Sequence, residues 1–139
     1  MIKETLRVDP PVWRQIRRVG IDGYKLAGIT LEKDQEVNIA AYAVHMNPMY
    51  YEEPKKFNPD RFMPENKHLL TPYTYLPFGA GPRNCIGQRF AYQEIKLCLA
   101  KIIRQFKFEP QPAAQKKGLF NFNLLNSIFQ HPSVKVSKR

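Results

Sequence analysis

Residues 77–87 read Pro77-Phe78-Gly79-Ala80-Gly81-Pro82-Arg83-Asn84-Cys85-Ile86-Gly87, a glycine-rich stretch that holds a single cysteine. This stretch decides the fold, because it predicts a loop that leads directly into an amphipathic helix at residues 86–106. Its glycines allow backbone conformations closed to other residues and let the chain approach a flat ligand closely. Free amides and the dipole at the start of a helix stabilise an anion. We therefore expect Cys85 to be a thiolate that binds a soft metal or reacts.

The spacing within this stretch is more specific than its chemistry. Phe78, Gly81, Arg83, Cys85 and Gly87 fit the pattern F-x-x-G-x-R-x-C-x-G, which residues of average frequency match by chance on the order of once per million starting points. The pattern resembles the haem-binding loop of the cytochrome P450 family; the alternative is a glycine-rich turn with an inert cysteine. The resemblance implies that Cys85 is the proximal thiolate ligand of haem iron. The other residues that it implies for haem binding are Arg83, Arg14, Phe78, Gly79, Gly81, Ile86 and Gly87.

Glu4 and Arg7 form a second motif near the start of the chain. They lie three residues apart in a helix predicted for residues 1–8, which Asp9-Pro10-Pro11 ends. At this spacing they share one helix face and can form an ion pair. Such a pair is common on protein surfaces, but its place upstream of the cysteine also resembles the E-x-x-R motif of the family's K helix.

Residues 57–62, Phe-Asn-Pro-Asp-Arg-Phe, form a third motif. They resemble the family's F-x-P-E-R-F segment, with Asp60 where glutamate is usual. The resemblance implies that Arg61 completes a buried network with Glu4 and Arg7. One carboxylate between two guanidiniums can be satisfied on both oxygens by bidentate hydrogen bonds.

Arg14 ends a run, residues 6–14, that fits L-R-x-x-P-x-x-x-R. In the resembling family, the last position of that run commonly contacts a haem propionate. The alternative is an ordinary exposed arginine, and the residues alone do not separate the two.

Around these motifs the sequence predicts a mainly α fold with small β sheets. Residues 12–41 contain short strands with turns at Asp22-Gly23 and Ala27-Gly28, which predict a two-stranded hairpin followed by a return strand. The other predicted elements are a helical turn at 41–47 with a structural His45, an irregular connector at 63–74, the helix at 86–106 with a buried Cys98, strands at 106–112 and 134–136, and an apolar loop at 119–129.

The resemblance implies that these elements are the K helix, β hairpins, meander, cysteine loop, L helix and C-terminal β hairpin of the cytochrome P450 fold. We accordingly expect residues 1–139 to be the C-terminal portion of a single domain. The N-terminal part, with the distal oxygen-activating helix, is expected to lie upstream. Without it, the isolated chain is expected to be inactive.

Composition excludes several classes of protein. No run of about 18 apolar residues, the length of a membrane span, occurs in the sequence. Two cysteines do not make a disulfide framework, and three scattered histidines do not suggest zinc. The net charge of +10 fits nucleic acid, an acidic membrane surface, an acidic protein partner or a solvated surface. Nucleic acid is not favoured, because no motif clusters basic and base-stacking residues.

The function implied by the resemblance is that of a monooxygenase with haem b, which inserts one oxygen atom from O₂ into a small apolar substrate. Electrons are expected from NADPH through a flavoprotein reductase that docks on a basic surface. The eukaryotic microsomal group is the best match, which implies the cytosolic face of the endoplasmic reticulum membrane and an N-terminal anchor upstream. The alternative is a non-catalytic haem-binding module, a carrier or a sensor.

Overall fold

The computed structural model describes residues 1–110, 120–122, 127–129 and 134–139. The chain forms two compact units, Met1–Gly79 and Ala80–Arg139. In the described residues a short helix is followed by a run of short strands, then by a run of helical segments, then by a second run of strands, and the strands pair into two-stranded antiparallel sheets. This combination agrees with the predicted class of helices with small sheets.

The first unit opens with helix α1, Ile2–Val8, which confirms the helix predicted there. The amide of Asp9 donates to the Thr5 carbonyl at 2.8 Å and closes the last turn. Pro10 then stops the helix, because proline has no amide to continue the hydrogen-bond pattern. Helix α1 is thereby short, and its face with Glu4 and Arg7 is buried.

Two antiparallel pairs of strands follow. Strands β2, Tyr24–Leu26, and β3, Ile29–Leu31, form the predicted hairpin. Its two-residue turn has positive φ at both Ala27 (48°) and Gly28 (84°). This turn geometry matches the right-handed twist of the two strands that it joins.

The return strand β4, Glu36–Ile39, pairs with β1, Gln15–Arg18, which the sequence did not predict. In β1 the half-buried positions are Gln15 and Arg17, whereas Ile16 is 44% exposed. The strand was missed because its polar residues, and not its apolar one, face inward, which reverses the pattern used to recognise a half-buried strand.

Helix α2, Ala41–His45, confirms the predicted helical turn. Two 3₁₀ helices, Pro59–Phe62 and Pro64–Leu69, follow, so part of the connector expected to be irregular is helical. Each begins with a proline, which favours the first turn of a helix. The Asn58 side chain accepts from the Asp60 amide at 3.1 Å and caps the first of them.

The interior of the first unit contains charged and polar side chains beside apolar ones. Glu4, Arg7 and His45 are fully buried. Such groups are tolerated only when they are paired and hydrogen-bonded. The buried apolar side chains are Pro10, Val19, Leu31, Ala41, Tyr51, Leu76 and Pro77.

The second unit is organised on helix α3, Gln88–Gln105. It begins two residues later than predicted, because the Gln88 amide donates to the Cys85 carbonyl at 3.4 Å in a separate turn. The predicted strands at its end are present. They are β5, Phe106–Pro110, paired with β8, Val134–Lys138. Within the predicted apolar loop the structure has a further short pair, β6, Phe120–Phe122, with β7, Ser127–Phe129. The rest of the predicted apolar loop, 119 and 123–126, lies outside the described residues.

Cys98 is exposed, so the prediction that it is buried was wrong. Within α3, all of whose residues the structure describes, none is buried. Cys98 lies at the edge of the least exposed stripe and not in its centre. That half-exposed stripe consists of Gln88, Ala91, Tyr92, Ile95, Leu99 and Ile102.

Among the described residues, no helix combines the length and apolar character needed to cross a bilayer.

Candidate functional site

Cys85 lies in an exposed turn immediately before α3. A 3₁₀ turn, Gly81–Arg83, precedes it, and the Asn84 amide closes that turn on the Gly81 carbonyl at 3.1 Å. A cleft of about 340 Å³ opens beside the cysteine. Its lining residues are Pro82, Asn84, Cys85, Ile86, Gln88 and Arg89. The thiol is thus reachable by a ligand approaching the start of the helix.

Glycines leave room around this turn. Gly81 has φ of +74°, a left-handed conformation that other residues rarely adopt. A Cβ at Gly87 would have the Cys85 Sγ as its nearest neighbour, at 3.9 Å. In the first unit, Gly79 has φ of +77° and a Cβ there would lie 3.0 Å from the Gln15 side-chain oxygen. The φ of Gly79 therefore disfavours other residues there, and a Cβ would also require the Gln15 side chain to shift.

The structure places the other predicted haem-contacting residues as follows. Arg83 and Ile86 are exposed beside Cys85 in the second unit. Arg14 is exposed and Phe78 is half-buried in the first unit. Asn84, Gln88 and Arg89 also line the cleft, and none of them has a role predicted from the sequence. Arg89 could have been found from its position, since it lies in the first turn of the helix that follows Cys85.

A metal at Cys85 would need ligands from outside the side chains near it. Within the part of the chain that the structure describes, no three His, Cys, Asp or Glu residues are grouped so that they could hold a metal ion. One exposed soft sulfur donor suits a metal whose other positions a cofactor fills, as the nitrogens of a porphyrin do. The donor set therefore fits a haem better than a bare ion.

The Glu4–Arg7 pair lies in the first unit and is completely buried. Arg7 donates from Nε to Glu4 Oε2 and from Nη2 to Glu4 Oε1, both at 2.8 Å. The third guanidinium nitrogen, Nη1, donates to the His45 carbonyl at 2.9 Å. The Tyr51 ring lies over the guanidinium, 5.1 Å from ring centroid to Cζ. This bidentate geometry gives both specificity and strength.

Arg61 lies on the other side of Glu4. Its Nε is 3.5 Å from Glu4 Oε1, close enough for an ion pair but without a hydrogen bond. Its Nη2 donates to the Glu53 carbonyl at 3.0 Å, and the Asn58 amide donates to Glu4 Oε1 at 2.9 Å. The three predicted network residues are therefore together, but Arg61 is held by the main chain and not by a bidentate bond to Glu4.

His45 is a further buried group of this unit, and the sequence predicts only a structural role for it. Its Nε2 accepts from the Leu76 amide at 2.8 Å, and its Nδ1 lies 3.1 Å from the Arg7 carbonyl. The Tyr75 ring stacks on it at 5.8 Å. Burial lowers the pKa of His45 to about 4, against the opposing effect of the bond to the Arg7 carbonyl. Among charged groups, the Arg7 guanidinium, itself paired with Glu4, also lowers this pKa.

This depressed pKa predicts a stability loss in acid. The unfolded chain binds a proton at this residue between pH 6.5 and about 4, where the folded chain does not. The free energy of unfolding should therefore fall as the pH is lowered through that window, and level off below it. The full effect of such a shift is about 3 kcal/mol.

Urea unfolding of the wild type and of His45→Gln across this pH window measures the effect. The difference between the two free energies should shrink towards the acid end, because only the wild type carries the titrating ring. His68→Gln is the control, since His68 is exposed. A difference that stays constant with pH would show that His45 titrates normally.

Comparison with known proteins gives one consistent result. The sequence matches the family model described as Cytochrome P450 over residues 1–136. Cytochrome P450 3A1 of Rattus norvegicus is 44% identical over 110 residues, which are 79% of this chain and 22% of that protein. Cytochrome P450 4V2 of the same organism is 46% identical over 119 residues, 86% of this chain and 22% of that protein. The chain thus spans about a fifth of the length of these curated relatives.

Proposed function

Because this chain belongs to the cytochrome P450 family, we propose that Cys85 is the proximal haem-iron ligand of a haem–thiolate monooxygenase. The enzyme would insert one oxygen atom from O₂ into a small apolar substrate. The observation that carries the proposal is the exposed thiol at the start of α3, in a turn opened by glycines. We further propose that residues 1–139 are the C-terminal portion of the enzyme's single domain.

Several residues near Cys85 would hold haem b. Gly81 and Gly87 would let a flat macrocycle approach the backbone on either side of the sulfur. Ile86, fully exposed beside the cysteine, would supply apolar contact, and Arg83 would neutralise a propionate. From the first unit, the resemblance adds Phe78 as a shield of the sulfur, Gly79 for close approach, and Arg14 as a second propionate partner.

Bound haem supplies the iron at which O₂ is activated, and a thiolate ligand favours cleavage of the O–O bond. The chain's own contribution is to present Cys85 in an exposed, glycine-opened turn directly before α3, where its sulfur would reach the iron. The free amides and the dipole at the start of a helix favour an anionic ligand at such a place. Hydrogen bonds from the loop to the sulfur would tune the potential of the iron.

Electrons would come from NADPH through a flavoprotein reductase. Support comes from the exposed basic side chains of the second unit, which suit an acidic partner. The resemblance to microsomal members also leads us to propose the cytosolic face of the endoplasmic reticulum membrane as the location. The basic side chains concerned are Arg83, Arg89, Lys96, Lys101 and Arg104.

The test is a spectrum and a turnover assay on the gene product that contains this chain. After reconstitution with haem, the reduced carbon monoxide complex should show the long-wavelength Soret band of thiolate ligation. With NADPH and reductase, a panel of apolar compounds should yield products with one added oxygen atom. Absence of the band would overturn the proposal. A stable band with no product from any compound would favour a carrier or sensor instead.

A further inference from the structure

The buried imidazole of His45 joins two parts of the first unit that are far apart in sequence. Nε2 accepts from the Leu76 amide at 2.8 Å, so this nitrogen carries a lone pair. The ring is neutral, because burial lowers its pKa. Its proton must therefore be on Nδ1, where it is donated to the Arg7 carbonyl at 3.1 Å. The imidazole thus hydrogen-bonds both the Arg7 carbonyl at the end of α1 and the Leu76 amide.

The bonds on the α1 side are reciprocal. The Arg7 side chain donates to the His45 carbonyl at 2.9 Å, while the His45 side chain donates to the Arg7 carbonyl. The Arg7 carbonyl is one of the last in α1, which have no partner within the helix. Since Arg7 is itself fixed on Glu4 by two hydrogen bonds, the imidazole is held by a rigid, fully buried base.

The hydrogen bond at Nε2 holds Leu76, the first residue of the turn that ends at Gly79. The Leu76 carbonyl accepts from the Gly79 amide at 3.2 Å and from the Gln15 side chain at 3.1 Å. Gly79 in turn has a left-handed conformation, and a Cβ there would lie only 3.0 Å from the Gln15 side-chain oxygen. Leu76 is therefore held at its amide by His45 and at its carbonyl by the turn that leads on to Cys85.

From this geometry we infer that His45 is a positioning residue, which fixes the backbone at Leu76–Gly79, the segment that directly precedes the cysteine turn in the sequence. The inference rests on the proposed function only for its consequence at the iron. Its claim about the hydrogen bonds of Leu76 and Gly79 is independent of any ligand.

Two substitutions separate the two nitrogens of the ring. His45→Asn places an amide near the position of Nδ1, so it keeps a donor for the Arg7 carbonyl but cannot reach Leu76. His45→Gln reaches the position of Nε2 and can accept from Leu76, but it loses the bond to Arg7. Both variants remove the ring, but Asn is one methylene smaller than Gln and leaves a larger cavity at this buried site. The comparison therefore uses ratios of exchange rates within each variant, which a general loss of stability does not change.

Amide hydrogen exchange gives a readout that a merely structural role would not move. In His45→Asn, exchange at Leu76 and Gly79 should accelerate by about tenfold relative to Val19, the effect of one lost hydrogen bond. In His45→Gln the same ratio should stay near the wild-type value. Val19 is the reference because its amide bonds to Gln35 in another part of the unit, at 3.0 Å. Equal acceleration of all three amides in both variants would overturn the inference.

A wild-type measurement covers the case in which a variant does not fold. When the imidazole becomes protonated, Nε2 can no longer accept, so exchange at Leu76 and Gly79 should accelerate ahead of Val19, after correction for intrinsic rates. If the exchange rates of Leu76 and Gly79 relative to Val19 do not change when the His45 ring becomes protonated, the inference is contradicted.

The iron provides the final comparison in the haem-loaded gene product. His45→Asn should increase the fraction of the reduced carbon monoxide complex that lacks the long-wavelength band, more than His45→Gln does. If the wild type lacks that band, the proposed function fails while the exchange result still stands. If the wild type has the band but the two variants give identical exchange and spectra, the positioning role alone fails.

Discussion

Cys85→Ala is expected to abolish the long-wavelength Soret band of the reduced carbon monoxide complex completely, in the gene product that contains this chain. The reason is that a methyl group cannot donate to iron. The substitution is small and its site is exposed, so the fold should be retained, and circular dichroism should match that of the wild type.

Cys98→Ala is the matched control, because Cys98 is the other free, exposed cysteine of the second unit. It lies within α3, thirteen residues after Cys85 and away from the glycine-opened turn. Its loss should leave the band unchanged. The opposite pattern, a band that survives Cys85→Ala and disappears in Cys98→Ala, would reassign the ligand.

Elements held by local interactions were predictable from the sequence. Helix α3 follows its 3.6-residue apolar pattern, and the hairpin β2–β3 follows from Ala27-Gly28, which allows the positive φ values of a tight turn. Strand β1 was not predictable, since its partner β4 lies about twenty residues away and its inward-facing residues are polar. The pairing of β1 with the distant strand β4 determines which side chains of β1 face inward, and this differs from what its own sequence pattern predicts.

In the candidate site, too, features set by local sequence were predictable and those set by distant residues were not. The spacing of Cys85 and its glycines is local, and it predicted an exposed thiol at the start of a helix. The bonds of His45 could not be predicted, because Arg7 and Leu76 come to it from opposite ends of the first unit. The exposure of Cys98 could not be predicted either. An apolar face on a helix does not show how much of that face other residues bury.

The pair Glu4–Arg7 shows how the same motif can have two very different energies. At a surface, an i,i+3 ion pair contributes less than about 1 kcal/mol. Here both side chains are fully buried, and removing one partner strands the other charge. Nothing in residues 1–8 decides between these cases. Burial is decided by residues distant in sequence, such as Asn58, His45 and Tyr51, which complete the surroundings of the pair.

Arg7→Met is therefore expected to lower the free energy of unfolding by about 3–5 kcal/mol, the usual cost of breaking a buried pair. Methionine keeps the volume and the contact with Tyr51, but it leaves the Glu4 carboxylate with only the Asn58 amide and Arg61 at 3.5 Å. The His45 carbonyl also loses its donor. Since domains are stable by only about 5–15 kcal/mol, most of the folded population could be lost at elevated temperature.

Urea unfolding of three variants tests this ranking. Arg61→Met should cost less than Arg7→Met, because Arg61 is 12% exposed and makes no hydrogen bond to Glu4. Lys56→Met removes an exposed pair with Glu53 of the same i,i+3 spacing, and should change stability by less than about 1 kcal/mol. Adding Glu4→Gln to Arg7→Met should recover part of the loss, because the stranded charge is removed. Equal losses for Arg7→Met and Lys56→Met would show that the buried pair contributes no more than a surface one.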